Sequence, residues 1–240
     1  MFIIPVATFS ILKWRYNEDM PIKRTYADLG DACATSHAME LIAEHWGYIV
    51  IRELFLGPKR FSELFDSARG ITPTMLTTRL RDLDDRGIVT SRLLDPPARV
   101  RVYDLTEWGR DLESIMHALG RWAQRSPSLP QEGGLTPDAA VLAMRTMAPP
   151  HPLDPPVQLQ LRLSDSRGRN EIAYDYFIDW GSDGFHADRG RLPNPITRIS
   201  IDATSWANAL FNGAALPREA VQGDPAPLDR FIRSMSPAQR

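Results

Sequence analysis

The sequence predicts an α+β chain: a mostly helical N-terminal half ending in a β-hairpin and a long helix, then an antiparallel sheet with helices. Three observations carry this expectation. Up to about position 125, apolar residues recur at three- and four-residue spacing, the period of half-buried helices. From Val157 onward they alternate, the period of strands with one buried face. Between the two lies residues 126–137, Ser-Pro-Ser-Leu-Pro-Gln-Glu-Gly-Gly-Leu-Thr-Pro. A continuous helix does not survive that composition.

Composition bounds the function classes. With 240 residues, 43% hydrophobic and 24% charged, the chain is globular rather than disordered, collagenous or coiled-coil. A single cysteine excludes an intramolecular disulfide framework and, without a Cys/His ladder, a structural zinc site; a cytoplasmic location fits this usage. A net charge of −2 gives no global reason to expect nucleic acid, so such a reading must come from a local patch. The apolar run from Met1 to Leu12 is far short of the ~20 residues that span a bilayer. Lys13 and Arg15 follow that run, whereas a signal peptide carries its basic residues first. Residues 1–24 therefore read as a tail, with Met20 as an alternative start.

Residues 25–126 form the first expected domain. Ala34, Ala38, Leu41, Ile42 and Trp46 mark one helix, and the almost wholly apolar Tyr48–Leu56 a second, stopped by Gly57-Pro58. Ser62 is expected to cap a third short helix burying Phe61, Leu64 and Phe65. After Gly70-Ile71, Thr72 and Pro73 restart the chain as N-cap and first helical residue. In that helix Leu76, Leu80 and Leu83 form one stripe, which leaves Thr74, Thr78 and Arg81 on the opposite pole and Thr77 on its flank. Short hydroxyls let a helix approach a groove closely, and arginine takes guanine bidentately. The stretch Gly57–Arg101 is locally basic, with nine Lys and Arg against six acids. That makes Lys59, Arg60, Arg79, Arg99 and Arg101 candidate DNA contacts beside Thr72, Thr74, Thr77, Thr78 and Arg81.

The runs Ile88–Leu94 and Val100–Leu105 flank Asp95-Pro-Pro-Ala-Arg99, a hairpin with an arginine at its tip. A hairpin directly after a helix-turn-helix is a winged helix, and Arg92 and Arg101 on its strands are expected near phosphate. Thr106 then caps a long helix whose Leu112, Ile115, Met116, Leu119 and Trp122 form an apolar stripe, fit for its own domain or for a second subunit.

These residues resemble the HxlR-type winged-helix regulators. The likeness rests on Cys33-Ala-Thr-Ser-His-Ala-Met-Glu-Leu-Ile-Ala-Glu-His-Trp46, Ile51–Leu64, Gly70–Leu83 and Tyr103-Asp-Leu-Thr-Glu-Trp-Gly109, in order from about Cys33 to Trp122. The resemblance implies a homodimeric transcription factor on a near-palindromic DNA site, with Thr72–Arg81 as recognition helix and the terminal helices building the dimer. Members often carry Cys-Pro at the start of the first helix, where this chain has Cys33-Ala34, and an apolar residue where Arg101 stands. Cys33 is thus read either as a redox thiol or, with more weight, as a small buried filler.

Residues 127–156 read as a Pro/Gly-rich linker carrying one short helix, Pro137–Met147. Residues 157–240 follow as strands Val157–Leu163, Ile172–Ile178, Phe185–Ala187 and Ile196–Ile201, then helices capped by Thr204 and opened by Asp224-Pro225. That order resembles the sterol carrier protein type 2-like domain. The resemblance implies an apolar pocket for a lipid-like molecule, to which Ile172, Tyr174, Tyr176, Ile178, Trp206, Leu210 and Phe231 are assigned. A small sheet with few covering helices often leaves a cavity, although the same side chains could close into a filled core.

Catalysis is not expected. The five histidines are scattered, with no metalloprotease, nucleophile-elbow or phosphate-loop motif; His186 beside Asp188 reads as a surface pair. No catalytic residue, metal or cofactor is assigned, and no membrane partner. The reading is a dimeric, DNA-binding, ligand-responsive regulator. Its alternatives are a lipid carrier whose winged helix mediates protein contact only, and a C-terminal domain that is a dimer scaffold without ligand.

Overall fold

The computed structural model describes residues 25–95, 98–130 and 132–235. The expected tail, residues 1–24, and the two prolines of the hairpin tip lie outside them. The chain divides into two compact units, Met1–Ile42 and Ala43–Arg240.

In the first unit a 3-10 turn, Ala27–Leu29, ends at Gly30 in the left-handed conformation, φ 82°, a region open to glycine at no steric cost. Asp31 then accepts from the Cys33 amide at 2.8 Å and from the Ser36 hydroxyl at 2.8 Å, which starts α1 (Ala34–Ile42). Cys33 is exposed, so the buried-filler reading is corrected.

In the second unit Trp46 does not continue the first helical stripe as expected but precedes α2 (Gly47–Leu54). Its indole instead covers Gly70, where an added Cβ would stand 3.5 Å from the ring. A two-residue strand, β1 (Lys59–Arg60), leads into α3 (Phe61–Ser67). The start of α3 is held by Glu63, whose carboxylate accepts from the Arg60 amide at 2.7 Å; Ser62 is not the cap. Phe61 and Phe65 are half-buried rather than core, and Leu64 is buried. Gly70, φ 88°, turns the chain into α4 (Pro73–Asp85), where Thr72 Oγ1 accepts from the Met75 amide at 3.2 Å. Leu76, Leu80 and Leu83 are buried, as are Val50, Ile51 and Leu54 of α2, on which α4 packs.

The hairpin strands are β2 (Val89–Leu93) and β3 (Arg101–Leu105), in an antiparallel sheet ordered β1-β3-β2. Thr106 caps α5 (Glu107–Ala123), accepting from the Gly109 amide at 3.0 Å while donating to the Gly87 carbonyl at 2.7 Å. Only glycine fits at 109, because a Cβ there would lie 2.2 Å from the Ile88 carbonyl oxygen.

The proline-rich stretch contains α6 (Pro137–Met147), capped by Thr136. Seven of its eleven residues are buried, so it is a core layer and not a helix on a solvated tether. A five-stranded sheet follows: β4 (Val157–Asp165), β5 (Ile172–Gly181), β6 (Gly184–Arg189), β7 (Thr197–Asp202) and β8 (Val221–Gly223). Its order is β6-β5-β4-β7-β8, antiparallel except for the parallel β4–β7 pair. Two helices complete it, α7 (Ala203–Phe211) and α8 (Ala226–Met235). Asp202, not Thr204, caps α7, accepting from the Thr204 and Ser205 amides at 2.9 and 3.1 Å.

The sheet's inner face is filled. Trp206 and Phe231 stack at 6.1 Å and 3°, Trp180 meets Phe231 edge-on at 6.1 Å, and Phe185 closes the cluster. Tyr176, Ile178, Trp206, Leu210 and Phe231 are each at most 2% exposed. None of the seven residues assigned to a lipid-like pocket lines any of five cavities found among the described residues. Two indoles and a phenyl ring pack together here, the arrangement of the filled-core alternative rather than of an open pocket.

Candidate nucleic-acid interface

The outward face of α4 is built as the helical period requires. Thr72, Thr74, Thr77, Thr78 and Arg81 are exposed, opposite the buried leucines. Thr77 donates its hydroxyl proton to the Pro73 carbonyl at 2.9 Å and Thr78 to the Thr74 carbonyl at 3.0 Å. Their oxygens are left outward as acceptors, which suits the exocyclic amines of adenine and cytosine. Arg81 makes no ion pair among the described residues, so its five donors face solvent.

The remaining basic residues divide. Arg79 sits at 23% side-chain exposure between Glu44 at 3.4 Å and Asp82 at 3.0 Å; it braces α4 and is not free to read a base. Arg60 and Arg99 are exposed, Arg99 with φ 36°. Arg101 is exposed and donates to Ser91 Oγ at 2.9 Å. Arg92 pairs in register with Val102, and Leu93 with Arg101. Successive side chains alternate, so Arg92 and Arg101 occupy opposite faces of the ribbon and do not meet one phosphate together.

Lys59 is a correction. It is 1% exposed, and its ammonium lies 2.5 Å from Glu53 Oε2 and 2.8 Å from Asp138 Oδ2. A buried ammonium held by two carboxylates cannot reach a phosphate. Arg52 and Thr136 complete Glu53, at 2.8 and 2.7 Å. Tyr176 donates to Asp138 at 2.6 Å, and Arg189 donates to it as well, at 3.0 Å through Nε. Burial alone would push the Glu53 carboxyl up, but the Lys59 and Arg52 cations outweigh it and hold the group well below the ordinary carboxylate range. For Lys59 burial works downward and is outweighed by Glu53 and Asp138, so its ammonium is held above the ordinary value. Burial pushes the Tyr174 phenol up to about 12.

On α5 the apolar residues separate onto two faces. Leu112 and Met116 are half-buried, whereas Trp108, Ile115, Leu119 and Trp122 stand 40–68% exposed. His117 and Thr146 meet at 2.7 Å where α5 packs on α6. His186 and Asp188 do not pair: Asp188 binds Arg145 at 3.0 Å.

Comparison with known proteins matches this sequence to a family. The pattern of the HxlR-like helix-turn-helix covers residues 41–129. The uncharacterized HTH-type transcriptional regulator sll1512 of Synechocystis is 36% identical over 97 residues, 39% of this chain and 71% of its own length. The HTH-type transcriptional regulator YodB of Bacillus subtilis is 34% identical over 89 residues, 37% of this chain and 79% of its own length. The chain belongs to the HxlR-like helix-turn-helix family. It is thus an HxlR-type transcriptional regulator with a DNA-binding helix-turn-helix. The reduced form of YodB, a solved structure, aligns with 42% of this HxlR-type chain and all of its own at 28% identity and a TM-score of 0.39. The family pattern ends at residue 129, before α6 and the five-stranded sheet. Among the described residues no helix is long and apolar enough to cross a membrane.

Proposed function

We propose that this protein is a dimeric, sequence-specific reader of duplex DNA in the cytoplasm, with α4 in the major groove and the β2–β3 wing on the backbone. The observation that carries it is the outward face of α4, two threonine acceptors and an Arg81 without an ion pair among the described residues, over a leucine core. Thr72, Thr74, Thr77 and Thr78 approach the groove, while Arg60, Arg99 and Arg101 serve phosphate. The exposed apolar residues of α5, from Trp108 to Trp122, support a second copy as the partner. Two recognition helices would then stand roughly 34 Å apart on a near-palindromic site.

Residues 25–126 are assigned to DNA reading. A sterol-carrier layout for the C-terminal sheet and helices stays part of this proposal, while the packing of Trp180, Trp206 and Phe231 weighs against a lipid-like ligand and the lipid-carrier alternative. A thiol response is a second reading, favoured by the exposure of Cys33. Hydrogen bonds from the Ser36 and Thr35 amides also draw its thiol below the ordinary value. Footprinting on genomic fragments tests the main reading. The wild type should protect a two-fold site, and Arg81→Ala should cost about 1–3 kcal/mol there while relaxing one base position. A wild type that protects no site refutes it.

A further inference from the structure

The β4–β5 hairpin tip belongs to the C-terminal sheet, yet it is fastened to the helix-turn-helix. Asn170 donates to both carboxylate oxygens of Asp66 on α3, at 3.1 and 3.0 Å. Tyr174 donates to Glu63 at 3.1 Å. The Arg169 guanidinium lies 3.8 Å over the Phe65 ring, a contact that fixes the side chain without consuming its donors. Gly168 stands so close to the end of α3 that a Cβ would lie 3.1 Å from the Asp66 carbonyl oxygen.

This fastening creates a concave basic surface. A cavity of about 460 Å³ is lined by Arg69, Gly70 and Ile71, which form the turn into α4, and by Arg167 and Arg169 from the hairpin, with Phe65 and Asp66 between. The charges do not cancel. Asp165 pairs with Arg167, accepting at 2.7 Å on each oxygen, and also attracts Arg69, while Asp66 keeps its charge in its bond to the neutral Asn170, so three guanidiniums stand against two carboxylates. Arg69 and Arg169 are both exposed, and neither makes an ion pair among the described residues. Two exposed guanidiniums without an ion pair among the described residues therefore flank the turn that delivers the recognition helix.

We infer that Arg69 and Arg169 form an additional DNA-backbone contact, in which the C-terminal sheet lends a second, hairpin-borne arm to the helix-turn-helix. The inference rests on the proposed reading of α4, because the turn at Gly70 approaches a duplex only if α4 does. The partner is phosphate of duplex DNA, since guanidiniums with free forks and no base-sized slot position a duplex rather than read it.

The test compares the full-length wild type with Arg69→Ala/Arg169→Ala and with Arg169→Lys, on a protected duplex and on a scrambled one, across a salt series. Each phosphate contact carries a slope of about −0.9 in log affinity against log salt, so each one lost costs about eightfold at 0.1 M salt. The double variant should lose about 60-fold in affinity, with its salt slope shallower by about 1.8. Both duplexes should be affected alike. Arg169→Lys should keep the slope, and all variants should melt like the wild type. An unchanged slope in the double variant beside a wild type that binds overturns the inference and leaves the α4 reading intact. Loss confined to the protected duplex also overturns it, because base reading is then implied. A wild type that binds neither duplex removes both readings.

Discussion

Replacing Lys59 by methionine separates a structural charge from a DNA-binding one. Methionine keeps the apolar stem but leaves Glu53 and Asp138, both buried, without their shared cation. Removing one partner of a buried ion pair costs about 3–5 kcal/mol. Here each carboxylate retains other donors, Arg52 and Thr136 on Glu53 and Arg189 and Tyr176 on Asp138. The cost therefore belongs at the lower end, about 3 kcal/mol. For a unit of this size that is a melting temperature lower by about 6–12 °C. Calorimetry at pH 7 reads it directly. Adding Glu53→Gln removes the stranded charge and should recover stability, with a coupling of about 0.5–3 kcal/mol. The salt slope of DNA binding should stay at the wild-type value. A variant that melts like the wild type and has a slope shallower by about 0.9, the loss of one phosphate contact, refutes the burial argument.

Trp122→Glu, at a position 68% exposed on α5, should convert a dimer to monomers in sedimentation while leaving the melting of each unit nearly unchanged; an unaltered oligomeric state places the interface elsewhere. Cys33→Ser should abolish any effect of peroxide on DNA affinity, and equal responses of variant and wild type exclude a thiol switch. Stability should fall in acid, because Glu53, Glu113 and Asp165 all have folded values held below their ordinary ones. Their contribution is present above the unfolded range of about 3.9–4.3 and is lost as pH drops through the folded values. In alkali the raised Tyr174 phenol works with the opposite sign: its contribution is full below about pH 10 and is lost as pH climbs toward its folded value of about 12. Melting temperatures from pH 2 to 11 check both flanks, and a flat acid flank contradicts the carboxylate assignment.

Helix α4 was legible because each of its signals is local. A threonine cap, a proline at the first position and leucines at helical spacing place its outward face without knowledge of anything distant. Lys59 was not legible, because its partners are separated from one another in the chain: Glu53 is six residues away and Asp138 comes from another layer. One signal did exist. Glu53 stands in the otherwise almost wholly apolar run Tyr48–Leu56, and a carboxylate on a buried helix needs a cation. The choice between a filled core and a cavity stayed open for a simpler reason. Ending the second strand at Ile178 left out Trp180, the side chain that meets Phe231 edge-on and takes up much of the space assigned to a ligand. The Arg169 contact could not be read at all, since nothing in a hairpin tip announces which helix it rests on.

The composition of residues 126–156 argues for a tether, yet the structure makes it the seam that joins reader to sheet. Linker residues are recognised by what breaks a helix, and Pro and Gly do break it on either side of α6. They say nothing about whether the helix between them is buried. Its burial follows from Asp138, which has to be neutralised and is, by Lys59 from the DNA-reading part and by Arg189 from β6. Thr136 adds its bond to Glu53 on α2 at 2.7 Å, and Arg145 spans Glu113 of α5 at 2.6 Å and Asp188 of β6 at 3.0 Å. A charge shared among three elements is satisfied only when all three are in place, so its loss in any one is felt by the others. The reader and the sheet are therefore coupled through α6 directly, and a change in the sheet has a physical route to α2 and α5 that a solvated linker would not provide.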